Sequence, residues 1–286
     1  MNSKLTWVAL AALVSGCGSS EGPGSTPTAL PTPAPQIGGS ADFAEALADS
    51  YEVFPNYASD GLKLANTGLA LDRAGGRLFH ARYHYGRSSH IAVRTRTNRS
   101  LGRLDVSAHI SHIQGLAWAA DTQTVLAWGA MPGREPHPWQ GGVYVVCEFE
   151  LSGRLVSRWL TPRVDAYPGA LVVTRDVLWL KANGRPVAHG YSRKSHKLVR
   201  TVDFGVGGEG LAWDAARRQW WTADSAGIHR HAEDGTELEL AAPNPSQTGA
   251  TEGLAVDGDY VWMSADEGMH GDISGGNRVY RIAVGT

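Results

Sequence analysis

Short apolar runs alternating with polar positions, and broken by clusters of Gly, Asp and Asn, make up most of this chain. That period-two pattern predicts half-buried β-strands joined by turns. Within it the triplet Gly-Leu-Ala, or a near copy, recurs five times. The copies are Gly68-Leu69-Ala70, Gly115-Leu116-Ala117, Gly169-Ala170-Leu171, Gly210-Leu211-Ala212 and Gly253-Leu254-Ala255, spaced 41 to 54 residues apart. An aromatic follows each by one strand and a turn: Phe79, Trp128, Trp179, Trp221 and Trp262. Third strands are read at Ile91 to Thr95, Val143 to Phe149, Val187 to Tyr191, Ile228 to His231 and Arg278 to Val284. A fourth appears four times only, at Leu101 to Val106, Leu155 to Leu160, Leu198 to Phe204 and Thr236 to Leu240.

Four strands at such a period predict an all-β fold, a β-propeller. Five blades over residues 50–286 are expected; six is the alternative if residues 41–65 build a degenerate blade. The fifth blade runs out of chain before its outer strand. Either Tyr51-Glu52-Val53-Phe54 or Leu62-Lys63-Leu64 is expected to pair there and close the ring, which removes an open sheet edge. Residues 42–50 read as a short helix ahead of that strand.

The N-terminus follows a different pattern. Lys4 precedes an apolar run from Leu5 to Val14, too short to span a bilayer, which ends in small residues. Val14-Ser15-Gly16-Cys17 resembles the lipobox of bacterial lipoproteins, in which the cysteine is lipidated and becomes the mature N-terminus; the alternative is an ordinary signal peptide with a chance cysteine. Gly18 follows Cys17 where inner-membrane retention would place aspartate, so the resemblance implies the outer membrane if the host is Gram-negative. Residues 18–40 are rich in Gly, Ser, Thr and Pro and have little to bury, so they read as a tether. The organisation expected is thus a signal segment over 1–17, a tether over 18–40 and a propeller over 41–286.

Composition narrows the partners. With 26 Lys and Arg against 28 Asp and Glu, net charge is −2, and no basic excess exists to bind a phosphate backbone. Nucleic acid is not expected as a partner; a membrane through the lipid anchor and an unknown small-molecule or protein ligand are. If Cys17 is lipidated, Cys147 is left alone among Val, Tyr and Phe and reads as a small core side chain. The repeat region contains no Gly-x-Ser-x-Gly elbow, no phosphate-binding loop and no His-Glu-x-x-His. Six histidines (His80, His84, His90, His109, His112 and His137) fall in the first two blades and read as loop or solvated residues, with His109 and His112 on opposite faces of an extended segment. The second-strand tryptophans read as inter-blade core.

The residues just before the repeat glycines are Thr67, Gln114, Pro168, Glu209 and Glu252. Innermost propeller strands start at one mouth of the central channel, so these five are expected to ring it. Two glutamates there would repel and lose hydration unless water screens them or a cation sits between them. Loops after the second strands add Asn183, Asp224, Asp266 and Glu267, and the segment His80 to Arg87 adds a basic, aromatic side. The candidate binding set is therefore Glu209, Glu252, Gln114, Asp224, Asp266 and Glu267. Glu209 and Glu252 are the candidate metal ligands, and oxygen donors of this kind suit Ca²⁺ or Mg²⁺.

Gly208-Glu209-Gly210-Leu211-Ala212-Trp213-Asp214 and Thr251-Glu252-Gly253-Leu254-Ala255-Val256-Asp257 resemble the Glu-Gly-Leu-Ala strand starts of the SdiA-regulated propeller family. They are similar also to those of phytase-like esterase propellers and, more loosely, of the gluconolactonase and paraoxonase group. The resemblance implies that these glutamates line the channel; in the last group one such glutamate binds the catalytic divalent cation. It rests on blades 4 and 5, while blades 1 and 3 depart from it at Thr67 and Pro168. Two functions follow as expectations: an envelope propeller that binds a ligand at its channel mouth, or a divalent-metal-dependent hydrolase of lactonase or phosphoesterase type using the same site. A purely structural role for the glutamates is the third.

Overall fold

The computed structural model describes residues 50–54, 64–84, 88–133, 143–162, 166–246, 251–266 and 277–284. The described residues form five antiparallel four-stranded sheets. Blade 1 is β2 (Leu64–Asp72), β3 (Arg77–His84), β4 (Ser88–Thr95) and β5 (Ser100–Asp105). Blade 2 is β6 (Ser111–Ala119), β7 (Thr124–Ala130), β8 (Tyr144–Glu150) and β9 (Leu155–Leu160). Blade 3 is β10 (Pro168–Val173), β11 (Val177–Ala182), β12 (Val187–Ser192) and β13 (Leu198–Asp203), and blade 4 is β14 (Gly210–Asp214), β15 (Gln219–Ala223), β16 (Gly227–His231) and β17 (Glu237–Pro243). Blade 5 takes β18 (Gly253–Asp257), β19 (Tyr260–Ala265) and β20 (Asn277–Ala283) from the end of the chain, and its outer strand, β1 (Ser50–Phe54), from the beginning.

β1 runs antiparallel to β20, with Ser50 opposite Tyr280 and Glu52 opposite Arg278. Of the two candidate closing segments it is the first that closes the ring; Leu64 instead begins the inner strand of blade 1. Ser50 therefore belongs to a strand, and the rest of the expected helix over 42–50 lies outside the described residues, as do the signal segment, Cys17 and the tether.

The repeat glycines open or nearly open the inner strands of blades 3, 4 and 5 and lie at the middle of those of blades 1 and 2, and each inner strand packs on the next around the ring: β2 on β6, β6 on β10, β10 on β14, β14 on β18, and β18 back on β2. This explains why glycine recurs. A methyl group on Gly115 would lie 2.7 Å from the Leu171 amide nitrogen, and one on Gly253 would lie 2.6 Å from that of Leu69, across the closing joint. Close approach of the inner strands requires the missing side chain. The following Leu and Ala do the complementary packing: Ala70 shares a core layer with Leu116, Ala117 with Leu171, Val172 with Leu211 and Ala212 with Leu254. The core is accordingly a series of inter-blade layers around the channel. Phe79, Trp128, Trp179, Trp221 and Trp262 are all buried in it, and each large apolar side chain so buried contributes about 1.5–3 kcal/mol.

Ion pairs stitch the blades on one face. Arg73 and Arg96 of blade 1 meet Asp257 of blade 5 at 2.9 and 2.6 Å, Arg217 of blade 4 meets Asp259 at 2.6 Å, and Arg193 of blade 3 meets Asp121 of blade 2 at 2.7 Å. The first two reinforce the closing joint that β1 also seals.

Cys147 is buried, unpaired, and pushed up to about 12 by its burial, as a core residue should be. The histidine reading needs correction. His80 is not solvated: it lies fully buried in β3, and burial followed by the nearby Arg94 charge lowers its pKa to about 3. Its segment is not a loop either, since β3 runs on to His84. His109 sits in a turn after β5, not on an extended segment, while His112 is in β6. His137 lies outside the described residues.

Candidate functional site at the channel mouth

The five positions preceding the repeat glycines lie within or just ahead of inner strands, and each is solved differently. Thr67 donates its hydroxyl to the Ile113 carbonyl of the next blade. Pro168 is buried and adds no polar side chain. Gln114 donates from Nε2 to His112 Nε2 at 2.7 Å, and the His112 ring is stacked on Tyr83 at 4.3 Å and tilted against Tyr167 at 5.4 Å. His112 takes φ +43° to reach that position.

Glu209 and Glu252 meet. Their carboxyl groups stand close enough to influence one another, and two carboxyls buried so close favour keeping a proton on one of them. Burial is the first cause of that proton's affinity. It pushes Glu209 up to about 7, against the pull of Glu252's hydrogen bond, the Lys181 charge and the Asn183 amide, with Asp266 adding a further push upward. Glu252 is raised well above the carboxylate range by burial, then by the charge and hydrogen bond of Glu209, then by Asp266. Both shifts run in the direction that retains a proton on the pair to higher pH than an ordinary carboxyl would.

Asp266, fully buried at the end of β19, stands close enough to raise both. Asn183 donates to Glu209 Oε1, while Glu209 Oε2 is buried without a hydrogen-bond donor among the described residues. Gln114 Oε1 is in the same condition. Lys181, fully buried in β11, donates from Nζ to the carbonyls of Gly207 and Gly208. Burial pulls its pKa down to about 8, and the charges of Glu209 and then Asp224 resist.

The sequence-expected residues thus divide. Glu209, Glu252 and Asp266 come together. Asp224 stays near enough to influence Lys181, but its Oδ1 is taken up capping a turn, accepting from the Ala226 and Gly227 amides at 2.8 and 3.1 Å and from His229 Nε2 at 3.1 Å. Burial pushes Asp224 up, yet the hydrogen bonds from His229 and the two amides outweigh it and hold the group below its ordinary value. Gln114 is tied to His112. Glu267 lies outside the described residues. Lys181 was missed, although a signal existed: it is the one charged position in Val177-Leu178-Trp179-Leu180-Lys181-Ala182, otherwise an apolar strand. Its ammonium, with a proton retained on the pair, supplies a means of tolerating two glutamates beyond water and a cation. As for metal, among the described residues no group of three or more His, Cys, Asp or Glu side chains stands close enough to hold an ion.

No protein-family model matches the chain, and no curated protein matches it. Solved structures do. That of a glutaminyl cyclase from Myxococcus xanthus is similar with a TM-score of 0.50 at 13% identity, covering 82% of this chain and 94% of the other. A nidogen/laminin complex matches with a TM-score of 0.48 at 11% identity over 71% of this chain and 72% of that one. At such identity the likeness to the glutaminyl cyclase supports the propeller fold and no further property.

Proposed function

We propose that the chain is an envelope-displayed propeller, anchored through a lipid on Cys17, that binds a ligand bearing a cationic or hydrogen-bond-donating group at the mouth formed by Glu209, Glu252, Lys181 and Asn183. The observation that carries this reading is the buried Glu209–Glu252 pair. Burying two carboxyl groups costs solvation that an apolar pair would not lose, and strongly perturbed groups of this kind gather at functional sites. Apart from the neighbouring Glu252 carboxyl, Glu209 Oε2 is buried without a donor among the described residues, and we read this as an acceptor held for a ligand at the channel mouth. The resemblance of the two Glu-Gly-Leu-Ala segments to SdiA-regulated and phytase-like esterase propellers agrees with a ligand at this end.

The same unsatisfied oxygen favours a second reading, a metal-assisted hydrolase. Glu209 and Glu252 would hold a hard divalent cation such as Ca²⁺, which when bound would polarise an ester or lactone carbonyl. A proton held on the pair would be released as that cation binds.

One experiment separates these readings. Melting temperature is followed with calcium chloride, magnesium chloride, a primary alkylammonium salt and a peptide with N-terminal glutamine, for wild type and for Glu209→Gln and Glu252→Gln. A probe that stabilises wild type but neither variant supports the site, since a ligand bound only to the folded state raises stability by mass action. Stabilisation by calcium together with lactone hydrolysis would select the hydrolase. The glutamine peptide is included because a glutaminyl cyclase shares the fold; ammonia released from it would make the mouth catalytic in another way. If no probe shifts wild type and both substitutions are silent, the pair is structural and the proposal fails.

A further inference from the structure

The face of the ring away from the glutamate pair carries a cavity. Two residues after the repeat leucines, the inner strands place Leu71, Trp118, Val173, Trp213 and Val256 at equivalent positions. Blade 3 thus has valine where both of its neighbours, blades 2 and 4, have tryptophan. The ring wall dips between the two indoles, and a cavity of about 790 Å³ opens there, floored by Val173 and Ala215. That volume lies within the roughly 300–1,000 Å³ range of small-molecule sites. An axial chamber of about 390 Å³, lined by the Leu and Ala residues of all five inner strands, adjoins it and shares both tryptophans.

The two indoles are held from behind. Phe79 stacks on Trp118 at 5.4 Å and Arg77 lies against the same ring at 5.4 Å, both from blade 1, which leaves the blade 3 side to the cavity. Trp213 packs on Trp220 at 4.6 Å, and Trp220 in turn on Trp179 at 5.0 Å. The two inner tryptophans have satisfied N–H groups: Trp179 donates to Thr174 Oγ1 and Trp220 to the Glu233 carbonyl, each at 3.2 Å. Among the described residues Trp118 and Trp213 donate to no protein acceptor, and both remain partly exposed. The core indoles of Trp128, Trp221 and Trp262 also lack an acceptor among the described residues, so what sets Trp118 and Trp213 apart is their partial exposure, which lets ring and N–H meet a ligand.

The rim is charged, and most of its charges are paired. Asp121 is paired with Arg193, and Glu233 with Arg218 at 2.5 Å and Arg200 at 3.7 Å. Arg175 and Asp176 remain, adjacent and of opposite sign. The rim's four guanidiniums and three carboxylates leave a small positive excess, and with Asp121 and Glu233 already engaged by Arg193, Arg218 and Arg200 it offers mainly hydrogen-bond donors and acceptors around two flat apolar faces. A pyranose ring has the complementary form, with an apolar C–H face and a hydroxyl edge. We infer that the notch between Trp118 and Trp213 is a binding site for a neutral oligosaccharide, stacked on the indoles and hydrogen-bonded by their N–H groups, Arg175 and Asp176.

Intrinsic tryptophan fluorescence, titrated with cellotetraose, maltotetraose and chitotetraose, tests it. At least one of the three should bind wild type in the millimolar range or below. Trp213→Ala should weaken it on the order of tenfold, equivalent to about 1.4 kcal/mol. Trp118→Phe, which keeps a stacking ring and removes the N–H, should weaken it less. Val173→Trp should fill the notch and abolish binding at an unchanged melting temperature; should it fail to fold, Trp118→Phe and Trp213→Phe together take its place. Glu252→Gln, on the opposite face, should leave saccharide affinity as it was. The inference is overturned if none of the three saccharides binds, if binding survives the notch and indole substitutions, or if it responds to Glu252→Gln instead.

Discussion

Lys181 shows how much of the mouth depends on a single side chain. Its ammonium is fully buried, satisfies the Gly207 and Gly208 carbonyls and sets a positive charge beside Glu209. Lys181→Met keeps the length and removes all three effects. Two buried carbonyls lose a donor at a cost of about 1–3 kcal/mol each, so chemical denaturation should show a loss of at least this order, and the Glu209–Glu252 pair should titrate still higher. The pair itself gives stability a pH dependence with a definite sign. Both pKa values are raised in the folded state, so the stabilisation is complete below the ordinary carboxyl value of 4.5 and is lost as pH rises through about 7 for Glu209. His80 acts oppositely: with its pKa lowered from 6.5 to about 3, it costs stability as pH falls through that window. The informative quantity is therefore the difference between wild type and Glu252→Gln. Wild type should lose melting temperature relative to the variant as pH rises from 4.5 to 7; a constant difference would mean that the pair holds no proton.

At the scale of the strand, the repeat glycines and the closing strand carry separable loads. Gly115→Ala places a methyl group 2.8 Å from Leu171 Cβ and closer still to its backbone, an overpacking that should destabilise by about 1–3 kcal/mol or prevent folding. Gly207 makes the contrast: its added methyl would meet only the Gly184 carbonyl, at 3.1 Å, so Gly207→Ala should cost less by the same melting assay. Deleting residues through Phe54 removes the outer strand of blade 5 and leaves β20 with an open edge; a melting temperature unchanged from the full chain would contradict closure by β1. Nearly all of this level was legible in the chain, because inner-strand spacing and second-strand aromatics are local signals repeated five times, and the one blade without its own fourth strand stands out against them. His80 was misread for the opposite reason. Its burial comes from partners in other strands, and neighbouring residues in β3 give no sign of it.

For the whole molecule, two facts could not be read from the sequence. The first is that Lys181 and Asn183 of blade 3 reach Glu209 of blade 4, which only the ring brings together. The second is that a carboxyl pair can be tolerated by retaining a proton, without water or metal between its members. The repeat suggested Thr67, Gln114, Pro168, Glu209 and Glu252 as a set, but that Glu209 and Glu252 are the members that meet follows from burial and distance. The anchor belongs to this scale as well. Cys17→Ser should move the protein from the membrane to the soluble fraction on cell fractionation, and a variant that stays membrane-bound without lipid would refute the lipoprotein reading. The central claim is the proton retained by the glutamate pair at the mouth, and site-resolved ¹³C NMR titration of the glutamate side-chain carboxyl carbons tests it most directly. Glu209 should titrate near 7 and Glu252 well above 4.5, with Glu252→Gln shifting the Glu209 midpoint. Titration of both carboxyls at the ordinary 4.5, independent of one another, would contradict the account.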